Sequence, residues 1–533
     1  MNFTQSKVAP QNLPRSAGIS ILNDVLGPVM RGPSSSHTAA SYQLGRLSAA
    51  LFALPLARVR IAFDPSGSYG QVYRQQGVDL GFAMGLLGLP LTDVRFFSAL
   101  QEAAARGIDL AFEVVPLPDP GHPNTADIRL QSAAGEALEI RARSTGGGAV
   151  EIIRLDGWPV LVTGQTHEIL VELAAAAAPQ AAALFAAEGN LIGKPVCQSR
   201  KGLGLLHGKS RAALAQETRR ALAVLPGFRG LWTAPPVAFI KLGTPLFSSA
   251  AAMVALAEAR ACSLGRIALA HEASLLEIPE RQVLEEMSRR LDRMRAAVHD
   301  GLKGDVPPMQ LLEPSAAGIW KAEADGRLAA GGMHTRAAAR ALAVMHINSG
   351  MGVVCAAPTG GSAGVLPGVL VTLMDERGLT REAAALAALA AGGIGVIVGE
   401  RATFAAEVAG CQVEIGAAAA MAAAAVVDAA GGSPRQAAEA AAISFQNSMG
   451  SVCDLVQGMV EIPCHTRNAA AAAGAFVTAD LIMGGYVNPI PLDETIDAVL
   501  AVGKMLPPEL RVTSLGGLAA TPAARSMKPR QLH

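Results

Sequence analysis

Gly410-Cys411-Gln412-Val413-Glu414, Ser451-Val452-Cys453-Asp454 and Glu461-Ile462-Pro463-Cys464-His465 hold three of the six cysteines in this 533-residue chain, at intervals of 42 and 11 residues. A structural zinc site would show close pairs such as C-x2-C with a fourth Cys or His ligand. A bacterial ferredoxin cluster would show a tight C-x2-C-x2-C run. The chain has neither. Three thiolates from three separated turns can hold a [4Fe–4S] cluster by three irons, leaving the fourth open as a Lewis acid toward a substrate oxygen. The competing reading is structural, since a free cysteine behaves as a small buried hydrophobe.

Composition narrows the classes. Basic and acidic residues balance at 44 each, and neither a basic block nor an aromatic-interleaved patch points to nucleic acid. The first twenty residues lack the apolar core of a secretory signal. Six scattered cysteines form no disulfide framework, which predicts a reducing, cytoplasmic setting. The hydrophobic fraction is 51% and the mean hydropathy +0.33, so membrane spans need weighing. The uncharged run Ala341–Met374 is interrupted by His346, Asn348, Pro358 and Pro367, and Ala383–Gly399 is mostly Ala and Gly. A span needs roughly 20 strongly apolar residues. These runs are expected as core helices, in which small side chains let helices approach closely.

Along the chain, residues 1–17 are expected to be a flexible tail. In 18–165, Val59, Ile61 and Phe63 alternate with polar or small neighbours, as do Ile108, Leu110, Phe112 and Val114, a strand pattern. Ile128–Gln131 and Leu138–Arg143 flank an Ala-Ala-Gly-Glu turn, and Asp156-Gly157 separates two further β-rich runs. Gly32-Pro33-Ser34-Ser35-Ser36-His37-Thr38 opens a helical stretch, its hydroxyls expected to cap free amides. Residues 166–264 read as a helical extension of unknown role. Residues 265–515 read as an all-α domain with an amphipathic helix at Arg281–Asp300, and 516–533 as a second flexible tail. The expected fold is therefore an α+β N-terminal domain followed by an all-α domain carrying the cysteines.

The motifs resemble those of the bacterial iron–sulfur L-serine dehydratases. That family's GCQxEVG, CDPVxGxVxxPCIxRN and APTxGxxGxxP stretches correspond to Gly410–Gly416, Cys453–Asn468 and Ala357–Pro367, and its GPSSSHT motif to Gly32–Thr38. The resemblance covers about three-quarters of the chain, with the family's β and α parts fused in one polypeptide. It implies a [4Fe–4S] cluster on Cys411, Cys453 and Cys464 and conversion of L-serine to pyruvate and ammonia. It implies a catalytic role for His37 and Ser36, with Ser34, Ser35 and Thr38 binding substrate. Ser144–Gly148 resembles the family's Gly-Gly-Gly turn and His122-Pro123-Asn124 its HPN stretch. Thr145, Gly146, Gly147, His122 and Asn124 are thus expected contacts, although a plain loop or turn explains either stretch equally well. Thr359, Ser362 and Asn468 lie in or beside the cluster motifs. Arg467 is expected either to hold a carboxylate bidentately or to form a structural ion pair. A homodimer is the expected assembly.

The departures from the family are specific. Gln76 stands where the pattern has a candidate acid/base histidine, Leu455 where it has Pro, and Gly360 where many members have Asn. Gln76 leaves open the same cluster chemistry on another substrate: L-threonine, L-cysteine or a hydroxymethyl dicarboxylate. A catalytically silent metabolite-binding protein is a second alternative. Pyridoxal phosphate is disfavoured, because Ser-x-Lys occurs only as Ser199-Arg200-Lys201 and Ser526-Met527-Lys528, neither placed as an anchor.

Overall fold

A computed structural model describes residues 18–304 and 306–530. The expected tail 1–17 lies outside the described residues. The N-terminal half is mixed α/β, and the C-terminal half is helical apart from one short strand.

Among the described residues, twelve strands form three sheets. The first has six strands in the order β3-β2-β4-β5-β6-β7, comprising β2 (Arg58–Phe63), β3 (Asp109–Val114), β4 (Thr125–Gln131), β5 (Ala137–Gly146), β6 (Ala149–Leu155) and β7 (Trp158–Val162). Only β2 and β3 pair in parallel. Val59, Ile61, Phe63, Ile128, Leu130, Leu138 and Ile140 face inward onto the helix Ala40–Phe52, whereas Arg60, Arg129, Glu139 and Arg154 lie on the opposite side. That one-sided burial is why the alternation is readable. The Asp156-Gly157 turn joins β6 to β7 with both residues at positive φ, as a two-residue hairpin requires.

Residues 166–234 correct the sequence reading. In place of a helical extension they form a four-stranded antiparallel sheet, β11-β8-β10-β9, from β8 (His167–Ala174), β9 (Val196–Arg200), β10 (Leu203–Ser210) and β11 (Gly230–Ala234). Helices Ala178–Ala187 and Gln216–Ala223 complete a β-α-β-β-α-β unit of ferredoxin-like order. Ile169, Val171, Leu173 and Leu206 pack on those helices, while Leu170, Leu205 and Ala234 pack into the core of the first sheet. With both faces covered, these strands lose the period-two signal. At their centre Glu168 is fully buried, 2.7 Å from His207 Nε2 and 2.8 Å from Lys209 Nζ. Burial works against the Glu168 charge, but the His207 and Lys209 contacts more than offset it and hold the carboxyl below its usual range.

The helical half centres on Met333–Ser349, Arg381–Arg401, Ile415–Ala429 and Cys464–Met483, all rich in small residues, the first three mostly interior and the last burying one face. Two stretches, Arg381–Arg401 and Cys411–Ala429, are long and apolar enough to cross a membrane, yet 78% and 89% of their most apolar windows are buried inside the protein. Gly395 shows the use of small residues, because a methyl there would overlap Val25 of the N-terminal turn Ile21–Val25. The amphipathic helix is Glu280–Lys303, with Val283, Met287, Leu291, Met294 and Val298 buried. The end of the chain is not a loose tail: through residue 530 it folds back over the cysteine loops. Leu518 N donates to Asp454 Oδ2 at 2.8 Å, and Gln457 Nε2 donates to the Ala524 carbonyl at 2.9 Å.

The two halves are joined at the site by a two-stranded sheet. β1 (Val29–Arg31) pairs antiparallel with β12 (Val353–Cys355), which brings Gly32–Thr38 against Ala357–Pro367. Asn348 Nδ2 secures the join by donating to the Pro33 carbonyl at 3.0 Å.

Candidate active site

Three separate segments deliver the three thiols. Cys411 follows Gly410, whose positive φ and tight packing against Ser451 O and Leu506 admit no side chain. Cys453 is pinned on both sides by the returning C-terminal segment: its N–H donates to Leu510 O, and its carbonyl accepts from Val512 N, both at 2.9 Å. Cys464 begins the helix Cys464–Met483 immediately after Pro463. All three are buried. Cys411 Sγ, Cys453 Sγ and a Glu414 carboxyl oxygen lie within 4.8 Å of one another.

Crowding shapes their protonation. A hydrogen bond from Cys453, with help from Arg467, lowers the Cys411 thiol to about 7. The Cys453 thiol is pushed up by that same hydrogen bond and by burial, and the Cys464 thiol by burial and then the Cys411 charge. Burial and the Cys411 charge raise Glu414 to about 8. Such a set of soft thiolates and one carboxyl resists a second negative charge unless a cation is present, and a cation reverses that balance. The donor set therefore fits a thiolate-held metal centre.

Facing it is a small cavity with a water-accessible volume of about 40 Å³, lined by Ser34, Ser36, His37, Gln76, Glu407, Glu414, Cys453 and Cys464 among others. His37 is buried, and burial alone lowers its imidazole to about 3, so it is neutral at pH 7. Its Nδ1 lies 3.1 Å from Ser34 Oγ and 3.0 Å from Ser36 Oγ, and its Nε2 lies 2.8 Å from Ser68 Oγ. Tyr69 packs edge-on to the ring at 5.4 Å and donates from its hydroxyl to the Ser36 carbonyl at 3.1 Å. Ser34 does not act as the expected helix cap, because its hydroxyl is turned to His37.

The other anticipated residues divide. Thr359 Oγ1 donates to Glu414 Oε1 at 2.6 Å, one step from the thiols. Ser35 is buried in the turn beside Gly360. Asn124 is 1% exposed and has no partner at either end of its carboxamide, and Ser144 Oγ is likewise unpartnered. His122 caps the turn by accepting from Asn124 N at 3.1 Å.

Six further anticipated residues do not line the cavity. Thr38 Oγ1 is consumed by the Gln76 and Gly32 carbonyls, at 2.7 and 3.3 Å. Ser362 Oγ staples its own turn to Ala357 O and Thr359. Asn468 is fully buried, bonding Gly361 O, Cys464 O and Gly364 N. Arg467 does not reach the cavity: it donates to Val452 O at 2.6 Å, pairs with Asp454 at 3.1 Å and lines a separate groove behind Cys411. Thr145 is exposed while Ser144 faces inward, as β5 alternation dictates, and Gly147 borders a different cavity with Pro28 and Arg290.

Glu407, Glu414, Ser68 and Tyr69 were not singled out from sequence. Glu414 offered a signal, standing three residues after Cys411. Glu407, alone in an Ala-rich stretch, offered none.

Comparisons with known proteins bear on the family. The profile of the family described as serine dehydratase alpha chain matches residues 206–519. The chain is 36% identical over 285 residues to the probable L-serine dehydratase alpha chain of Bacillus subtilis, covering 54% of this chain and 95% of that one. It is 32% identical over 284 residues to the L-serine dehydratase alpha chain of Peptoniphilus asaccharolyticus, covering 53% and 97%. It is also 41% identical over 148 residues to the probable L-serine dehydratase beta chain of Bacillus subtilis, covering 28% and 66%. Carrying alpha-like and beta-like segments in one polypeptide, the chain belongs to the serine dehydratase alpha chain family.

Proposed function

We propose that the chain is an iron–sulfur L-serine ammonia-lyase, with a [4Fe–4S] cluster on Cys411, Cys453 and Cys464. The observation carrying this reading is three buried thiols from three segments, with Cys453 and Cys464 lining the cavity that holds His37 and the Ser34 and Ser36 hydroxyls, and Cys411 beside Cys453 and Glu414 just behind it. The relatives' names support the substrate. The bound cluster supplies an open iron, a Lewis acid toward the β-hydroxyl oxygen that makes hydroxide a feasible leaving group without net electron transfer.

The remaining chemistry falls to side chains. Ser34 and Ser36 hydroxyls bind the substrate at the helix entrance. In the tautomer that carries its proton on Nε2, facing Ser68 Oγ at 2.8 Å, His37 offers Nδ1, beside Ser34 and Ser36, as the acceptor for the Cα proton. The small size of the cavity limits competing water. Elimination gives 2-aminoacrylate and water, and hydrolysis of the released enamine gives pyruvate and ammonia. The six unpaired cysteines are in keeping with the cytoplasm as the place of action.

Anaerobic purification with iron and sulfide analysis, and assay of ammonia and 2-keto acid from L-serine, tests this. About four irons with pyruvate formation supports it. No iron after anaerobic reconstitution sinks it. Four irons without serine turnover moves the substrate to L-threonine, L-cysteine or a hydroxymethyl dicarboxylate. That second reading is favoured by Gln76, which lines the cavity and cannot exchange a proton at neutral pH.

A further inference from the structure

The cavity holds one charged group that the proposed reaction has not used. Glu407 sits on the short helix Ala406–Ala409, just ahead of the Cys411 turn, and lines the cavity opposite the serine-rich segment. Its Oε1 is closed off from solvent and has no hydrogen-bond partner. The second carboxyl lining the cavity, Glu414, is engaged by Thr359 and stands against the thiols. Among the described lining residues there is no Lys or Arg.

We propose that Glu407 is the receptor for the α-ammonium group of the substrate, making this site selective for 2-amino acids. The proposal rests on the lyase reading above and deepens it. A carboxyl with one oxygen closed off and unpartnered is costly to keep charged, and the most effective remedy is a cation held by a charge-assisted hydrogen bond. A zwitterionic amino acid brings that cation. Burial holds the empty Glu407 carboxyl above its usual range, a penalty that an arriving ammonium removes. A substrate with a second carboxylate would instead find no counter-charge, since among the described lining residues there is no Lys or Arg. Glu407 thus favours an amino acid over a hydroxymethyl dicarboxylate.

The test is isothermal titration of the anaerobically iron-loaded full chain with L-alanine and with propionate, which differ in the ammonium and carry no leaving group. The wild-type protein is expected to prefer L-alanine. Glu407→Gln, nearly isosteric, is expected to weaken L-alanine on the order of ten- to a hundred-fold, the range for a lost charged hydrogen bond, with propionate changed less than about threefold. Equal weakening of both ligands, or an undiminished preference for L-alanine, overturns the assignment. Should Glu407→Gln lose iron, Glu407→Asp decides: a retained preference supports the charge, and a lost one overturns it. A wild-type protein that binds neither L-serine nor L-alanine removes the lyase reading and this assignment together. Normal serine turnover with an unchanged preference in Glu407→Gln removes Glu407 alone.

Discussion

Gly360→Ala probes the join between the two halves at a point of close backbone contact. A β-carbon on Gly360 would lie 2.7 Å from the Pro33 carbonyl oxygen, 3.1 Å from Ser35 N and 3.2 Å from Pro33 C. All three are backbone atoms, so no side chain can swing aside. Restoring ordinary contact moves Pro33–Ser35 by roughly 0.7 Å away from the Thr359–Ala363 turn, an overpacking cost of about 1–3 kcal/mol. In a chain this long that shifts Tm by only a few degrees. The catalytic effect is larger, since a displacement near 1 Å of a positioned group costs about 100-fold in rate. The expected result is a fall of roughly 10- to 100-fold in kcat for serine, with iron content unchanged because the cysteines lie beyond the displaced segment. Anaerobic kinetics alongside iron analysis reads both. Wild-type kcat and Tm would refute the close-packing argument, and loss of iron would show that the turn supports the thiols instead.

Cys411→Ser, Cys453→Ser and Cys464→Ser are each expected to lose the brown chromophore and turnover, while Cys262→Ser keeps both; retained iron in any of the first three removes that ligand. Glu168→Gln leaves His207 and Lys209 without their buried counter-charge and should destabilise the four-stranded sheet by about 3–5 kcal/mol. Hydrogen exchange should show the faster opening confined to residues 166–234, and exchange spreading to the cysteine loops would contradict that independence. Burial lowers His271, stacked on Phe247, to about 4 against an ordinary 6.5. The unfolded chain therefore binds its proton first as pH falls, so stability is complete above pH 6.5 and declines toward pH 4, by up to ~1.4 kcal/mol per pH unit. His271→Gln should flatten that decline in denaturant titrations, and an unchanged slope would assign the pH dependence elsewhere.

Local sequence determined much of this protein. Strands with one wet face, such as β2, β4 and β5, announce themselves by alternation, and the helix Glu280–Lys303 by its apolar stripe. The three cysteines and Gly32–Thr38 stood out through the family motifs that contain them, because their spacing alone is equally compatible with buried packing thiols and a Ser-rich helix start. Other features needed the tertiary structure. Strands β8 and β10 are covered on both faces, and their polar Glu168, His207 and Lys209 are satisfied across the sheet by one another, so in sequence they pass for helix and loop. Arg467 and Asn468 sit in the motif but spend their hydrogen bonds on backbone and on Asp454. Glu407 carries no sequence mark at all. Its place in the cavity follows from the pairing of β1 with β12, which brings the two halves together, because a closed-off, unpartnered Oε1 belongs to three-dimensional surroundings that no local pattern encodes.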